Sequence, residues 1–351
     1  MAGHPVTPRA QGGARSRLGP RLVWGVFFAA LVAGAVVFGS HQIKLVVVHG
    51  LIKDEAAMAA FDAGLMAGMQ GRPGVELRSL RVSAKAESTA ESVTDSCAGI
   101  WYALDSLVPT LLIVVGEPAR VCVDDARSDL APGVPRVLVG LGAKAGAAID
   151  ARRAYLPHRF PGPTWSEALL SQRGAGRPYR LLFLAADSAL ARQQQAQFAA
   201  LALDGVSVST LLVHNWSEWS AAASRAGAGA DGQRQDLLVI GGYRDLAALP
   251  AALRDPAATV RATRALFGRD IAATEVHAVG VEGGAAWAIE AEAGSIGRRA
   301  ADLGLMLLGD LPPPAAAAQT ISIALDAEAA RRGQGLPPLF EAVARHQGLY
   351  R

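Results

Sequence analysis

The fold of this chain is decided by residues 21–50, RLVWGVFFAALVAGAVVFGSHQIKLVVVHG, where two apolar runs follow each other closely. The first run, Leu22–Ser40, contains no charged residue and has the composition of a membrane-inserting segment. The second, Ile43–His49, is short and mostly apolar, as expected for a strand that is buried on both faces of a parallel sheet. We therefore predict a signal peptide or membrane anchor over residues 1–40, followed by an α/β domain.

The charges around the first run predict its orientation. Four arginines precede Leu22, and no acidic residue occurs before Asp54. Because excess positive charge stays on the cytoplasmic side, the rest of the chain is expected on the periplasmic side. A spanning helix needs about 20 apolar residues and a signal sequence needs fewer. A cleaved signal is therefore favoured over an uncleaved inner-membrane anchor, and both stay open.

The charge balance of the body excludes one class of partner. The 351-residue chain carries 34 Lys and Arg against 31 Asp and Glu, and four of the arginines lie in the leader. The body therefore holds 30 basic and 31 acidic residues, a net charge of −1. A near-neutral body argues against nucleic-acid binding, which needs a basic surface. Its length, about 310 residues, favours two lobes over one core.

Cysteine and histidine usage gives little sign of a metal or cofactor. The two cysteines are Cys97 and Cys122. Outside a membrane they could form a disulfide, but the sequence does not give the Cα separation that a disulfide requires. We therefore favour two buried thiols. The seven histidines are scattered, and no His or Cys pair has the spacing of metal ligands. We predict no metal and no cofactor.

Strand and helix patterns alternate through the first half of the body. Between the first two strands, Met58, Phe61 and Leu65 recur on one helical face. Alternating strands and helices imply right-handed crossovers and therefore a parallel sheet. Strands are predicted at residues 43–49, 75–82, 111–115 and 137–139.

The pattern restarts after residues 157–178, which are rich in proline and glycine and predict a crossover between lobes. Asn215-Trp216-Ser217-Glu218 is a capping box that opens a helix. We predict two doubly wound, parallel-sheet lobes. Strands of the second half are predicted at residues 180–185, 206–213, 236–240, 276–281, 286–291 and 320–325. The first lobe comprises residues 41–160 and about 288–318, and the second comprises residues 177–287 and about 319–340.

Three segments carry a likeness to a known family. They are Val115-Gly116-Glu117-Pro118-Ala119, the turn and helix of Ala291–Gly309, and the closing strand Ile323–Asp326 with Leu336-Pro337. Their order and spacing over residues 42–340 resemble the ABC-transporter substrate-binding proteins of the type I periplasmic-binding fold. The closest group is that of tryptophan/tyrosine-type uptake systems. The chain departs from this family at Glu117, where the family has Thr, and at Ala293 and Gly294, where it has tyrosines.

The resemblance implies a function without covalent chemistry. A protein of this family is expected to be a periplasmic monomer that closes its lobes on a small-molecule ligand and delivers it to an ABC permease in the inner membrane. An uncleaved leader would add contact with the membrane. The polar positions that differ from the family pattern indicate a different solute, or a paralogue that no longer serves a transporter.

The predicted ligand-binding residues follow the carboxyl ends of strands, where open α/β sheets bind their ligands. In the first lobe, His49 closes the first strand, and its alternative role is a loop or capping histidine. The turn after the third strand presents backbone N–H groups to a carboxylate, and Glu117 beside it would favour an amine. The residues of this turn are Gly116, Glu117, Pro118 and Ala119.

In the second lobe, Asp187 and Ser188 follow one predicted strand, and Gly242 and Tyr243 follow another. Tyr243 could stack on a solute, or it could be a partly exposed loop residue. Glu292 is predicted to be a polar group of the hinge or cleft. We expect Glu117, Asp187 and Tyr243 to line one site for an amine-bearing solute.

Two alternative functions remain open at the level of sequence. The first is a membrane-tethered sensory or scaffolding domain of the same fold, which would keep its leader and bind an envelope partner. The second is an enzyme, since Glu290 and Glu292 point to one face of a strand and paired carboxylates serve glycosidases. Such catalytic pairs normally come from separate elements, so we predict that the protein is not an enzyme.

Overall fold

The computed structural model describes most of the chain beyond the leader. The described residues are 43–50, 55–72, 74–82, 90–125, 133–140, 152–157, 160–173, 178–229, 234–280, 283–309, 320–334 and 336–351. The predicted signal or anchor segment lies outside them. Within these residues, no helix combines the length and apolar character needed to cross a bilayer.

The first sheet contains five parallel strands in the order β2-β1-β3-β4-β5. Its central strands are fully buried because helices cover both faces. Helix α1 packs on one face, and α2 packs on the other. The strands are β1 (Ile43–His49), β2 (Val75–Arg81), β3 (Leu111–Val115), β4 (Arg136–Val139) and β5 (Arg153–Leu156). The helices are α1 (Glu55–Gly68), α2 (Ala90–Leu107) and the short α3 (Glu117–Arg120), which continues as a π-helical turn, Val121–Asp125.

The second sheet contains six strands in the order β11-β10-β9-β8-β6-β7. All neighbours are parallel except β10 and β11, which are antiparallel. The strands are β6 (Tyr179–Ala186), β7 (Val206–Val213), β8 (Leu237–Gly241), β9 (Ala272–Ala273), β10 (Trp287–Ala291) and β11 (Ile321–Leu325). The helices that flank them are α4 (Gly162–Gln172), α5 (Ala189–Ala199), α6 (Trp216–Ala228), α7 (Pro256–Phe267), α9 (Ala327–Ala329) and α10 (Pro338–His346).

The chain crosses between the two layered units three times. It leaves the first sheet after β5, returns at Glu292 to form α8 (Ala293–Leu307) against α1, and crosses again to form β11. Strand β10 pairs within the second sheet, whereas the predicted boundary at about residue 288 put most of it in the first lobe. The pairing partners of β10, which are distant in sequence, decide this boundary.

Glycines allow α1 and α8 to approach each other closely. A Cβ at Gly297 would overlap the carbonyl oxygen of Phe61, and one at Gly64 would overlap the carbonyl of Gly294. The two helices therefore meet backbone to backbone, and α8 is held against the first unit although it follows a strand of the second.

Local patterns account for most elements, and the exceptions have a physical reason. The capping box is present as predicted, since the Asn215 side chain accepts a hydrogen bond from the Glu218 N–H at 3.0 Å. The predicted strand at residues 276–281 is absent: the chain forms a 3₁₀ turn at Val276–Ala278, and the strand lies earlier, at β9. Strand β5 was not predicted, because four residues are too few to give a clear strand pattern.

The two cysteines form a disulfide, which corrects the expectation of free thiols. Cys97 of α2 and Cys122 of the π-helical turn have Cα atoms 5.2 Å apart, within the range that a disulfide spans. Both residues are fully buried. The sequence showed their burial, but only the packing of α2 on the turn brings the sulfur atoms together.

Candidate functional site

A cavity of about 180 Å³ lies between the two units, at the carboxyl ends of strands from both sheets. Its lining includes Val115 of β3 and Val139 of β4 from the first sheet, together with Gly242 and Thr274 beyond β8 and β9 of the second. This is the position at which open parallel sheets bind ligands. Residues of two chain crossings also line it, namely Phe160 and Pro161 after β5 and Ala291 and Ala293 on either side of Glu292.

One wall of the cavity is apolar and aromatic. Phe61 and Ile296 come from α1 and α8 of the first unit, Phe160 follows the first crossing, and Trp165 lies in α4 of the second unit. Phe160 stacks on Trp165 with ring centroids 6.3 Å apart, and the Trp287 ring lies 5.1 Å from that of Trp165. These contacts fix the rings before any ligand arrives. The wall is therefore a rigid surface suited to an apolar part of a ligand.

The opposite wall is polar and charged, and all of its charged side chains come from the second unit. They are Arg244, Asp245, Glu275, His277 and Glu290. Ser188, Gln194 and Thr274 add uncharged polar groups. Three carboxylates face one guanidinium and one imidazole, so this wall is acidic.

Backbone donors anchor two of the carboxylates. Oε1 of Glu275 accepts a hydrogen bond from the N–H of Gly242 at 3.2 Å, and Oε2 of Glu290 accepts one from the N–H of Val276 at 2.9 Å. The Nε atom of Arg244 lies 3.5 Å from Oε2 of Glu275. Burial raises the pKa of Glu275 above its usual range, although Arg244 and the Gly242 N–H act in the opposite direction. The acidic wall is thus held in place by the loops that follow β8 and β9.

Of the predicted ligand-binding residues, Ser188 and Gly242 line this cavity. Gly242 has a positive φ of 58°, which a glycine adopts without strain. The hydroxyl of Ser188 also accepts a hydrogen bond from the N–H of Ala191 at 3.1 Å and so caps α5. Each residue therefore has a structural role in addition to its place at the cavity.

The turn Gly116–Ala119 is not among the residues that line the cavity. Ala119 is fully buried, and its backbone N–H packs against Gly50. Glu117 turns to Arg120, whose Nη2 lies 2.5 Å from its Oε1. Because the neighbouring loop covers this helix N-terminus, the N–H groups that were predicted to hold a carboxylate are not presented to the cavity.

His49, Asp187, Tyr243 and Glu292 also take other positions. His49 is 2% exposed, and its Nε2 lies 3.0 Å from Oδ1 of Asp62. Asp187 forms a two-fold hydrogen bond with Arg192 at the surface. Glu292 pairs with Arg298 at 3.5 Å, at the crossing into α8. The predicted trio Glu117, Asp187 and Tyr243 therefore does not line the cavity.

Tyr243 lies in the core of the second unit and is 1% exposed. Burial, and after it the charge of Glu275, raises the pKa of Tyr243 above its usual value. The Tyr243 hydroxyl and the Glu275 carboxylate are thus close enough to influence each other. The ring therefore supports the acidic wall from behind and does not stack on a solute.

Sequence reasoning missed the acidic wall. Glu275 lies in the segment between β9 and the 3₁₀ turn, close to the start of the strand predicted at residues 276–281. Glu290 was noted only for its spacing from Glu292. The position of Glu275 and Glu290 at the carboxyl ends of strands could have indicated both residues. Glu275 was missed because the strand that precedes it, β9, was predicted too late in the sequence.

Comparisons with known proteins give the fold. No protein-family model matches the sequence, and no curated protein matches it either. Solved structures do match. An ABC domain from Streptococcus pneumoniae in complex with L-Trp aligns with a TM-score of 0.58 at 12% identity, covering 86% of this chain and 98% of its own. An ABC-transporter solute-binding protein from Agrobacterium vitis, bound to α-D-tagatopyranose, aligns with a TM-score of 0.54 at 12% identity, covering 87% and 98%.

A third similar structure comes from the complex of the TorS sensor domain with TorT, with a TM-score of 0.51, 11% identity and coverage of 81% and 92%. The predicted fold is confirmed. The chain has two α/β units of the type I periplasmic-binding kind. At these identities the likeness concerns the fold, and the solutes named above are those of the similar proteins.

Proposed function

We propose that this protein is an extracytoplasmic solute-binding protein of an ABC uptake system. It would bind a small molecule between its two units and present the closed form to a permease in the inner membrane. The observation that carries the proposal is the cavity between the units, with one apolar wall, one acidic wall and residues of two chain crossings in its lining. The solute-binding proteins that share the fold support it.

No covalent step is required. Glu290 is anchored by the Val276 N–H, and Glu292 is turned toward Arg298, so the two carboxylates do not face a common substrate position. A glycosidase needs its acid and its nucleophile or base on either side of one bond. Binding by differential contact in open and closed forms explains the arrangement more simply.

Export follows from the leader and is in keeping with the disulfide. The arginine bias before Leu22 supports a position of the body outside the cytoplasm. Disulfides persist in oxidising compartments such as the periplasm. Fusion of residues 1–60 to a reporter that is active only outside the cytoplasm should give signal, and a fusion that lacks residues 1–40 should not. A reporter that stays inactive with the full leader would refute export.

Ligand binding is tested by a thermal-shift screen of the body, residues 41–351. The panel contains amino acids, aromatic amines, nucleosides and sugars at millimolar concentration. A compound that binds only the folded state raises Tm in proportion to the logarithm of its concentration. At least one compound should do so and should lose its effect on a variant with the cavity filled, Ala293→Trp. Absence of any shift across the panel would contradict the proposal.

A sensory role of the same fold is the second candidate. One similar structure comes from the complex of TorS and TorT, and TorS is a sensor domain. In that case the leader would remain attached, and the partner would be another envelope protein. The mature N-terminus separates the two candidates: cleavage near Ser40 favours the uptake role, and retention of Leu22–Ser40 favours the sensory role.

A further inference from the structure

One buried polar side chain of the cavity lacks a hydrogen-bond partner. Gln194 of α5 lines the cavity and is 8% exposed. Its side-chain amide forms no hydrogen bond with any residue that the structure describes. Unlike Nε1 of Trp165, which is enclosed without a partner, neither amide atom of Gln194 is enclosed. A buried amide without a partner costs free energy, and a ligand that pairs with it from the cavity would recover that cost.

The Gln194 amide lies at the carboxyl end of β8, beside another neutral polar group. A Cβ at Gly241 would lie 3.2 Å from Oε1 of Gln194 and 2.9 Å from Oγ1 of Thr274. The missing side chain at Gly241 therefore leaves room for both polar groups at this strand end. The Ser188 hydroxyl, which accepts the hydrogen bond that caps α5, keeps its own hydrogen to donate. Ser188, Gln194 and Thr274 are the neutral polar side chains of the cavity.

The charged side chains of the cavity, in contrast, are already engaged. Glu275 lies against Arg244, for example, and Glu290 accepts a backbone hydrogen bond. All five take part in interactions within the protein: Arg244, Asp245, Glu275, His277 and Glu290. A ligand that pairs with one of these charges has to compete with an existing interaction, whereas the Gln194 amide offers its donor and its acceptor without such competition.

The rest of the lining limits the shape of the ligand. Apolar side chains face the cavity from both units, among them Phe61 and Ile296 of the first and Trp165 and Ile289 of the second. A planar heterocycle suits such a lining, because its two faces are apolar and its polar groups are confined to its edge. The cavity volume of about 180 Å³ is below the range of about 300–1,000 Å³ that drug-sized ligands occupy. The ligand is therefore small.

We propose that the cavity binds a small neutral heterocycle with a lactam edge, that is, an N–H next to a C=O, and that the Gln194 amide pairs with this edge. A side-chain amide carries one acceptor oxygen and two donor hydrogens. It can therefore accept from the N–H of the lactam and donate to its C=O at the same time, as glutamine does when it reads the edge of a nucleobase. This inference rests on the proposed function and names the solute class of the same site.

Two other solute classes fit less well. A sugar carries hydroxyl groups around its whole edge, and those that face Phe61 and Ile296 would lose their hydrogen bonds to water against apolar side chains. A charged solute loses its hydration on entering the cavity and is stabilised there only when its charge is paired. The groups that could pair with it are those that already interact within the protein.

The test is a ligand series built on one bicyclic body. 2-Quinolone carries the lactam edge, N-methyl-2-quinolone lacks its N–H, and quinoline lacks both the N–H and the C=O. Phenethylamine, tryptophan and galactose represent amines, amino acids and sugars. Their Kd values for residues 41–351 are measured by calorimetry at pH 7.5. 2-Quinolone should bind at least tenfold more tightly than each of the other five, because a site that is built around a hydrogen bond rejects analogues that lack it. A preference below tenfold over any of them would overturn the assignment.

A substitution locates the lactam edge. Gln194→Leu removes the donor and the acceptor and keeps a side chain of similar length. It should weaken 2-quinolone binding at least tenfold, and quinoline should bind no more weakly than to the wild type. The matched control is Gln195→Leu, the same substitution at the next residue of α5, which bonds to the Thr210 hydroxyl and does not line the cavity. The control should leave both affinities unchanged. Unchanged affinity of Gln194→Leu for 2-quinolone would overturn the assignment.

The outcomes separate this inference from the proposed function. If an amine, an amino acid or a sugar raises Tm and 2-quinolone does not, the solute class is wrong and the solute-binding role stands. If no compound of the series or of the wider panel binds, both fail. The series on the wild-type protein decides the solute class even if a variant does not fold.

Discussion

At the residue scale, single atoms decide how closely the elements meet. The carbonyl oxygen of Phe61 occupies the space that a side chain at Gly297 would need. Phe61 also lines the cavity and meets His49 edge-on at 5.6 Å. A substitution at this contact would therefore perturb both the packing of α1 on α8 and the lining of the cavity.

Gly297→Ala should lower the free energy of unfolding by about 1–3 kcal/mol, because overpacking forces the two helix backbones apart. The matched control is Gly99→Ala in α2, where an added Cβ meets nothing within 4 Å. This control should raise stability by about 0.5–1 kcal/mol, because alanine is the better helix former. Urea unfolding monitored by circular dichroism measures both. Equal effects of the two changes would contradict the packing seen between α1 and α8.

Glu275 should make stability depend on pH. Its pKa is raised in the folded state from the usual value of 4.5, so the folded protein binds more protons than the unfolded chain as pH rises above that value. The contribution of Glu275 to stability therefore falls between pH 4.5 and its folded pKa and is constant above it. The groups that act on this carboxylate are the Arg244 guanidinium, the Gly242 N–H, Asp245 and Tyr243.

Glu275→Gln removes this titration. Relative to the wild type, the variant should become more stable as pH rises through this range. Above the range, the difference in unfolding free energy between the two proteins should stay constant. Urea unfolding at intervals between pH 4.5 and pH 8 measures it. If the difference does not vary with pH, the pKa of Glu275 is not raised in the folded protein.

At the element scale, the disulfide ties a long helix to a short turn. Cys97 lies in α2, and Cys122 lies in the π-helical turn that follows α3, 25 residues further along the chain. The ring of Trp101 supports the same contact, since its Nε1 donates to the carbonyl oxygen of Cys122 at 2.7 Å. This side of the first sheet thus depends on the turn as well as on α2.

Removing the disulfide by a Cys97→Ala/Cys122→Ala double substitution should cost roughly 2–4 kcal/mol of unfolding free energy, chiefly because the unfolded chain gains freedom. A reducing agent should produce a similar loss in the wild type and none in the double variant. Thiol titration of the denatured, unreduced protein checks the premise. Two free thiols per chain would show that the bond does not form.

At the scale of the whole molecule, the three crossings between the units predict a hinge. The chain passes between the units after Leu156, at Glu292 and before Ile321. At the second of these, the Glu292 N–H donates to the carbonyl oxygen of Thr320 at 3.0 Å, and the Thr320 N–H donates to the Ser295 hydroxyl at 3.2 Å. Two crossings are thus joined, which favours one motion of the units as rigid bodies.

Ligand should make the protein more compact. Small-angle scattering of residues 41–351 should show a smaller radius of gyration with a saturating ligand than without it, because closure brings the apolar and acidic walls together. Ala293→Trp, the variant with the filled cavity, should scatter like the free protein at the same ligand concentration. Identical curves for the free and saturated wild type would exclude closure.

The sequence by itself determined the class of fold. Short apolar runs that alternate with helical faces at 3.6-residue spacing are local properties, and they predicted the parallel sheets and the two units. The elements that it misplaced are the weakest in local signal. Strand β9 has two residues, and β5 has four of mixed polarity.

Only the tertiary structure decided the disulfide, the boundary at Glu292 and the walls of the cavity. Each depends on contacts between residues far apart in the chain. Ala119 and Tyr243 follow strand ends, as a ligand-binding residue would, but Gly50 covers the first and the core of the second unit encloses the other. Position at a strand end follows from sequence, whereas accessibility depends on what the rest of the chain packs against it.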